Sequence, residues 1–254
     1  MKNLHPCPLI IASLALLLAG CETRSISNSG YVSANPVYPF DVSDQPNRAF
    51  RGELSELDVL GVSPSKTISE ADIHAALNDG AKVSLKRGDR LLLVQSGAQY
   101  PDDAMIQELK PYFELMPISG VPASPPARGT TMPAINQPLD MTLRLAAARA
   151  GAKTLLIYWG ILESSAQANV GKSLSWVPIV GMVVPDESQD MRIRLKAAVI
   201  DVDSGHWEML IPDAVENSAL SAAVSRRHND QEQVNLLKAE GYKRLVADLA
   251  KRLN

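Results

Sequence analysis

The sequence predicts an α/β (α+β) fold with a mixed sheet of about five to six strands, parallel at the front and followed by an antiparallel meander, flanked by helices. In the first half, strand-length apolar runs alternate with helical repeats, the order of a β-α-β unit with parallel strands. Residues 191–202 alternate strictly and precede a turn sequence, which is typical of a hairpin. Residues 230–253 repeat apolar side chains at helical spacing and predict a long C-terminal helix.

The front half of the sheet is expected to follow a short capped helix. Ser69 and Asp72 form a capping-box pattern at the start of this helix, and Ile73 and Leu77 form its apolar stripe. The next apolar run, RLLLVQS, has the length and continuity of a buried strand. The helices and strands expected here, in chain order, are helix 69–78, strand 90–96, helix 102–113 and strand 115–121.

The back half begins after residues 120–138, where five prolines predict a long loop. The segment 153–163 (KTLLIYWGILE) is almost wholly apolar, as in a central strand buried on both faces. The remaining expected elements are helix 139–150, a strand candidate at 174–184, strand 191–202, a turn at 203–205, strand 206–211 and helix 230–253.

The first twenty residues have the three parts of a secretory signal. Lys2 is followed by an apolar run at residues 9–18, and small residues precede Cys21. This apolar run is too short to span a bilayer, which takes about 20 residues. We therefore expect residues 1–20 to be removed on export.

The sequence Leu18-Ala19-Gly20-Cys21 resembles the lipobox of bacterial lipoproteins. The resemblance implies that Cys21 receives a thioether-linked diacylglycerol, and that its new amine is acylated, for example with palmitate, after cleavage. Glu22 stands where an aspartate would retain an enterobacterial lipoprotein in the inner membrane, which implies the outer membrane, facing the periplasm. Residues 22–50, rich in Ser, Asn and Pro, predict a flexible tether spanning on the order of 30 Å. A single periplasmic domain is expected at 51–254.

The composition of the mature chain argues against a nucleic-acid partner and against a disulfide bond. Removing residues 1–20 with their one lysine leaves 24 basic and 28 acidic residues, which argues against a nucleic-acid partner. Cys7 leaves with the signal and Cys21 is acylated, so no disulfide is expected despite the oxidising compartment. The fold must therefore be stabilised by an apolar core.

Two local patterns resemble cofactor sites, but we expect neither to be one. Ala166–Ser173 (AQANVGKS) matches a loose phosphate-loop pattern. A phosphate loop must be followed by a helix, whereas the next segment alternates apolar and polar residues, as in a strand, and contains Pro178. We therefore expect no bound nucleotide. Asp201, Asp203 and Gly205 resemble the start of a calcium loop, but the later ligands are missing and a strand follows at once. A hairpin turn is the preferred interpretation, and the sequence predicts no cofactor or metal.

No catalytic signature is present in the mature chain. Its histidines, His74, His206 and His228, form no zinc-peptidase motif, and no G-x-S-x-G elbow occurs. Asp203, Ser204 and His206 are neighbours on one turn, whereas catalytic triads are assembled from separated elements.

Arg192, Arg194 and Lys196, called here the cation row, are expected on one face of strand 191–202. They predict either a solvated face with cross-strand carboxylates such as Glu208, or a surface for an anionic partner such as lipid headgroups, lipopolysaccharide or cell-wall polymer. Three tryptophans on candidate strands predict cross-strand packing, with an indole-lined ligand groove as the alternative: Trp159, Trp176 and Trp207.

The element order over residues 90–254 resembles periplasmic lipoprotein domains of the curli-secretion and Tol N-terminal type. The segments RGELSELDVLGVS, SWVPIVGMVVPDE and DVDSGHW resemble an uncharacterised family of proteobacterial lipoproteins. We therefore predict a non-enzymatic, membrane-anchored module that binds an envelope protein or a cell-wall polymer. The alternative is a periplasmic hydrolase, peptidase-like, with an unrecognised site. A concave cluster of carboxylates or histidines would favour the hydrolase, and a flat polar surface with one apolar patch would favour the binding module.

Overall fold

The computed structural model describes residues 22–29, 50–62, 67–80, 82–122, 137–168, 187–221 and 226–253. The strands are β1 (Glu22–Ser25), β2 (Arg90–Ser96), β3 (Glu114–Gly120), β4 (Thr154–Ala168), β5 (Glu187–Asp201), β6 (Trp207–Leu210) and β7 (Val215–Ser221). The helices are α1 (Glu56–Val59), α2 (Glu70–Asn78), α3 (Asp103–Leu109), α4 (Leu139–Arg149) and α5 (Arg226–Ala250), with a 3₁₀ turn at Ile26–Asn28.

The seven strands form one mixed sheet in the order β3-β2-β4-β5-β6. Strand β2 is parallel to both β3 and β4, and all other pairs are antiparallel. Because β4 and β5 each have 15 residues, each pairs with two shorter strands along its outer edge. Strand β1 thus continues the edge after β2, and β7 continues the edge beside β6. The predicted fold class, parallel at the front and antiparallel behind, is confirmed.

The two most apolar strands occupy the centre, as their composition predicts. Residues 91–94 of β2 and 155–158 of β4 are at most 1% exposed, because helices cover both faces of the sheet here. On the first face, α3 and α5 share a core with the odd residues of β5. On the second face, α1 and α4 share a core with Ala198 and Ile200.

The amphipathic pattern of the C-terminal helix is confirmed. The predicted apolar residues of α5 lie in the core of the first face, and Leu253, just beyond the helix, forms a bridge with Leu85. The buried ones are Val234, Leu237, Leu245 and Leu249.

The helix α2 forms as predicted, but its apolar stripe is not buried. Ser69 and Asp72 make both hydrogen bonds of the capping box. Ile73 is 45% exposed and Leu77 is 76% exposed, and no residue of α2 is buried. The capping residues and the spacing of apolar residues are enough for the helix to form. Its apolar side chains become buried only if another part of the protein packs against them.

The structure differs from the predicted tether over residues 22–29. Strand β1 pairs with β4, and Ile26 is 1% exposed in the main core. Residues 30–49 therefore join two folded segments and do not separate Cys21 from the domain. Short α1 and β7 were not predicted. The signal, Cys21, most of the proline-rich loop and the strand candidate 174–184 lie outside the described residues.

Candidate functional site

The cation row lies on the second face of the sheet, beside the area that α1 and α4 cover. Strand register places Arg192 opposite Glu163, Arg194 opposite Ile161, and Lys196 opposite Trp159. The strict alternation of β5 causes this, because residues two apart share one face.

Each cation of this row contacts a carboxylate. Arg192 Nε lies 2.5 Å from Glu163 Oε2, and its Nη1 lies 3.6 Å from Glu216 on β7. Arg194 Nε is 3.5 Å from the same Glu163 oxygen. The hydrogen bond to Glu163 raises the pKa of Arg192 above its usual value. The row is therefore close to charge balance.

Lys196 is held from two sides. It forms an ion pair with Glu56 of α1, and its ammonium lies 5.9 Å from the centroid of the Trp159 ring. The predicted carboxylate, Glu208, is not a partner of the row. Glu208 lies opposite Val199, whose side chain faces the first side of the sheet, and it pairs with Arg252 instead.

A groove of about 500 Å³ opens beside these ion pairs. Its apolar wall includes Ile211, 73% exposed, and Ile161, 39% exposed. Trp159 is buried, and its indole N–H donates to the Leu54 carbonyl at 3.0 Å. The lining residues are Glu53, Leu54, Glu56, Trp159, Gly160, Ile161, Arg194, Leu195, Lys196 and Ile211. The arrangement combines exposed aliphatic side chains with paired charges of both signs.

A second concavity of about 510 Å³ follows the outer side of α5. Leu236 is its exposed aliphatic residue, at 59%. Five charged side chains contribute to its lining: Glu108, Glu216, Glu240, Lys243 and Arg244. This surface resembles the solvated side of an amphipathic helix.

A polar network that is buried at Gln95 and Tyr158 and partly exposed at Asp102 and Lys238 connects α3, α5, β2 and β4. Asp102 Oδ2 accepts hydrogen bonds from Lys238 Nζ at 2.9 Å and from the Tyr242 hydroxyl at 2.5 Å. Gln95 Oε1 accepts from the Tyr158 hydroxyl at 2.6 Å and from the Asp102 backbone N–H at 2.7 Å. Burial raises the pKa of both tyrosines well above the usual range, so both hydroxyls remain protonated donors. Because these groups bond one another, the network stabilises the packing of the helices on the sheet.

The turn after β5 is the predicted hairpin. Asp201 Oδ1 accepts from the Ser204 N–H at 2.8 Å and from its hydroxyl at 2.7 Å, and Gly205 adopts a φ of +78°. Partial burial opposes the charge of Asp201, but the Ser204 hydrogen bonds outweigh it and lower the pKa of the carboxyl. Among the described residues, no group of three or more His, Cys, Asp and Glu side chains could hold a metal ion.

The other residues selected from sequence do not converge on one place. His206 Nε2 lies 2.7 Å from Asp79 at the end of α2, and Ser204 is bonded to Asp201, so these neighbours form no relay. His74 lies on exposed α2, and Trp207 is 43% exposed on β6. Trp176, the His228 side chain and most of the phosphate-loop look-alike lie outside the described residues. In the part of the chain that the structure describes, no helix is long and apolar enough to cross a membrane.

Comparison with known proteins gives one family match. A family model described as YafT bacterial lipoprotein matches residues 55–252. Among solved structures, the PelC dodecamer from Paraburkholderia phytofirmans is 12% identical over 64% of this chain and 91% of that chain, with a TM-score of 0.27. The hypothetical protein CT253 from Chlamydia trachomatis is 10% identical over 65% of this chain and 95% of that chain, with a TM-score of 0.25. No curated protein matches.

Proposed function

Since the chain belongs to the YafT family of bacterial lipoproteins, we propose that it is anchored to the outer membrane through acylated Cys21 and binds a periplasmic or outer-membrane partner without acting as an enzyme. The family match begins at residue 55, and the support for the anchor is the sequence Leu18-Ala19-Gly20-Cys21. Two or three acyl chains on one cysteine give stable membrane attachment, where a single chain is marginal.

The groove beside the cation row is the observation that supports a binding role. Ile161 and Ile211 are exposed within one concave surface, next to the ion pairs of Arg194 and Lys196. Concave apolar surfaces with a few placed polar groups are typical of binding sites. A partner that covers both isoleucines would remove their apolar area from water, which favours association.

The groove favours a protein partner over a cell-wall polymer. Trp159 is 6% exposed, with its N–H bonded and Lys196 above its ring, so its face is not open for a sugar to stack on. The cation row is balanced by Glu163, Glu216 and Glu56, so it gives little attraction for a polyanion. The best occupant is a protein segment with an aliphatic side chain flanked by charges of both signs.

In-cell photo-crosslinking tests this assignment. A photo-reactive residue at Ile211 is expected to give one defined protein adduct, which Ile161→Glu in the same chain removes. The matched control places the reactive residue at Leu236, which is similarly exposed on the opposite face of the sheet. The same adducts from both positions, or an adduct that survives Ile161→Glu, would contradict the groove as the binding site. Peptide hydrolysis by the purified chain, lost on groove substitution, would support the hydrolase alternative instead.

A further inference from the structure

We propose that the lipid anchor is attached directly to the sheet, without a spacer, so that the domain lies against the bilayer with one fixed end nearest the headgroups. This inference rests on the acylation of Cys21 in the proposed function. The partner surface is a phospholipid bilayer, and the attached end is the one where β1 begins.

The first described residue after Cys21 is already part of the sheet. Strand β1 pairs antiparallel with β4, with Glu22 opposite Ser164 and Ser25 opposite Ile161. Cys21 directly precedes Glu22 in the sequence, and consecutive Cα atoms are about 3.8 Å apart, so the chain has no room for a spacer between the acylation site and this ladder. A tether of the predicted length would instead hold the domain on the order of 30 Å away.

The residues that follow β1 are fixed in the core. Ile26 fills the space above Gly160, where a Cβ would lie 2.9 Å from Ile26 Cγ2. The Ser27 hydroxyl donates to the Ser96 carbonyl at 2.6 Å and accepts from Gln95 Nε2 at 3.0 Å. Detaching this segment would expose Ile26 and remove a partner from Gln95, which is fully buried. The ladder next to the anchor is therefore a stable part of the fold.

Strand register shows which residues lie level with the anchor. Thr23, Glu163, Arg192 and Glu216 form one row across β1, β4, β5 and β7, and the β4–β5 ladder continues beyond this row to the pair Ala168–Glu187. The opposite end of the sheet carries the turn that follows Asp201, which pairs with Thr154. Ser164 and Thr154 are ten residues apart in β4, and at about 3.3 Å per residue the two ends are separated by roughly 33 Å.

The charged side chains level with the anchor are already paired with one another, so they are not expected to attract an anionic lipid. Arg192 is paired with Glu163 and Glu216, so the covalent anchor, and not surface charge, holds this end at the membrane. Attachment should therefore be similar on zwitterionic and anionic vesicles. A strong preference for anionic vesicles would mean that charge holds the domain, contrary to this inference.

Energy transfer from single labels to a headgroup dye tests the orientation. The sequence has only Cys7, in the predicted signal, and Cys21, the predicted acylation site, so an introduced cysteine is the one reactive thiol of the acylated chain. Glu216→Cys labels the anchored end and Asp203→Cys labels the far end, both at exposed positions distant from Cys21 in sequence. The acylated chain in phosphatidylcholine vesicles is expected to show about twofold or more higher transfer from position 216, given the separation of the ends.

The matched control inserts twelve Gly and Ser residues between Cys21 and Glu22. This spacer adds about 20 Å of flexible reach, and it should lower transfer from position 216 and reduce the difference between the two positions. Equal transfer from both positions without the spacer, or a difference that the spacer leaves unchanged, would overturn the direct attachment. Mass spectrometry separates the two hypotheses: an unacylated Cys21 refutes the proposed anchor as well, whereas an acylated chain with equal transfer refutes the direct attachment alone.

Discussion

The contribution of residues 22–29 to stability can be measured with Ile26→Ala. Ile26 is 1% exposed and belongs to the main core cluster. The substitution removes three carbon atoms, worth about 0.8 kcal/mol each in transfer free energy. The neighbouring Gly160 has no side chain that could move into the cavity, so a cavity term adds to this loss. We expect the free energy of unfolding to fall by about 3 kcal/mol.

Denaturant and thermal unfolding of the mature chain carrying Cys21→Ser provide the assay. For a chain of this size, a loss of about 3 kcal/mol corresponds to a decrease in melting temperature of roughly 6–12 °C. The control is Ile73→Ala on α2, the same chemical change at a site that is 45% exposed. That control should change the free energy of unfolding by less than about 0.5 kcal/mol.

The result that would refute this reasoning is a melting temperature of Ile26→Ala equal to that of Ile73→Ala. Residues 22–29 would then contribute nothing to the folded state and would act as the tether that their composition suggests. An intermediate Ile26→Val variant, expected to lose about 1 kcal/mol, would show that the loss scales with the volume removed.

Three further predictions concern the anchor, the cation row and the buried tyrosines. Cys21→Ser should move the protein from the membrane fraction to the soluble fraction, and a variant that stays membrane-bound would contradict the lipid anchor. Replacing the whole cation row by Gln should change the free energy of unfolding little, since exposed ion pairs contribute under about 1 kcal/mol each. The variant should also be retained on lipopolysaccharide, anionic vesicles and sacculi nearly as well as the unchanged protein, at low and at high salt. A large loss of retention at low salt would identify the row as an anion-binding site. Burial raises the pKa of Tyr158 and Tyr242 above the 10.0 of the free side chain, so their contribution is fully present below about pH 10 and is lost as the pH rises further. The alkaline slope of stability should therefore be shallower in Tyr158→Phe, and an identical slope would count against the buried, protonated hydroxyl.

The central strands were predictable because their signal is local. A continuous apolar run such as 91–94 or 155–158 needs cover on both faces wherever it lies, which places it inside a sheet. The alternation of β5 likewise places the three cations on one face without reference to the neighbouring strands. Helix α2 illustrates the limit, because its capping box is local but the exposure of Leu77 depends on what packs beside it.

The elements that were missed depend on distant partners. Strand β1 has four polar residues and no apolar alternation, and it forms because β4 extends beyond β2 and leaves an edge free at residues 161–164. The carboxylate partners of the cation row depend on the pairing register of β4, β5 and β7 and on the position of α1. Neither can be read from the spacing of residues in the sequence. In the polar network, Asp102 and Tyr242 are 140 residues apart, and neither has a distinctive sequence context. Only the tertiary fold brings these groups together.

The groove and the anchor share one part of the sheet, which restricts the partner. Ile161 lines the groove and pairs with Ser25 of β1, and the Ser25 hydroxyl donates to Glu53, another groove residue. Ser25 is four residues after Cys21, or about 13 Å along an extended strand. With Cys21 acylated and directly attached, a segment bound beside Ile161 would lie within about that distance of the headgroups. The proposed partner is therefore a protein that itself reaches the membrane surface, and a spacer after Cys21 should weaken its capture at Ile211 even though the groove is unchanged.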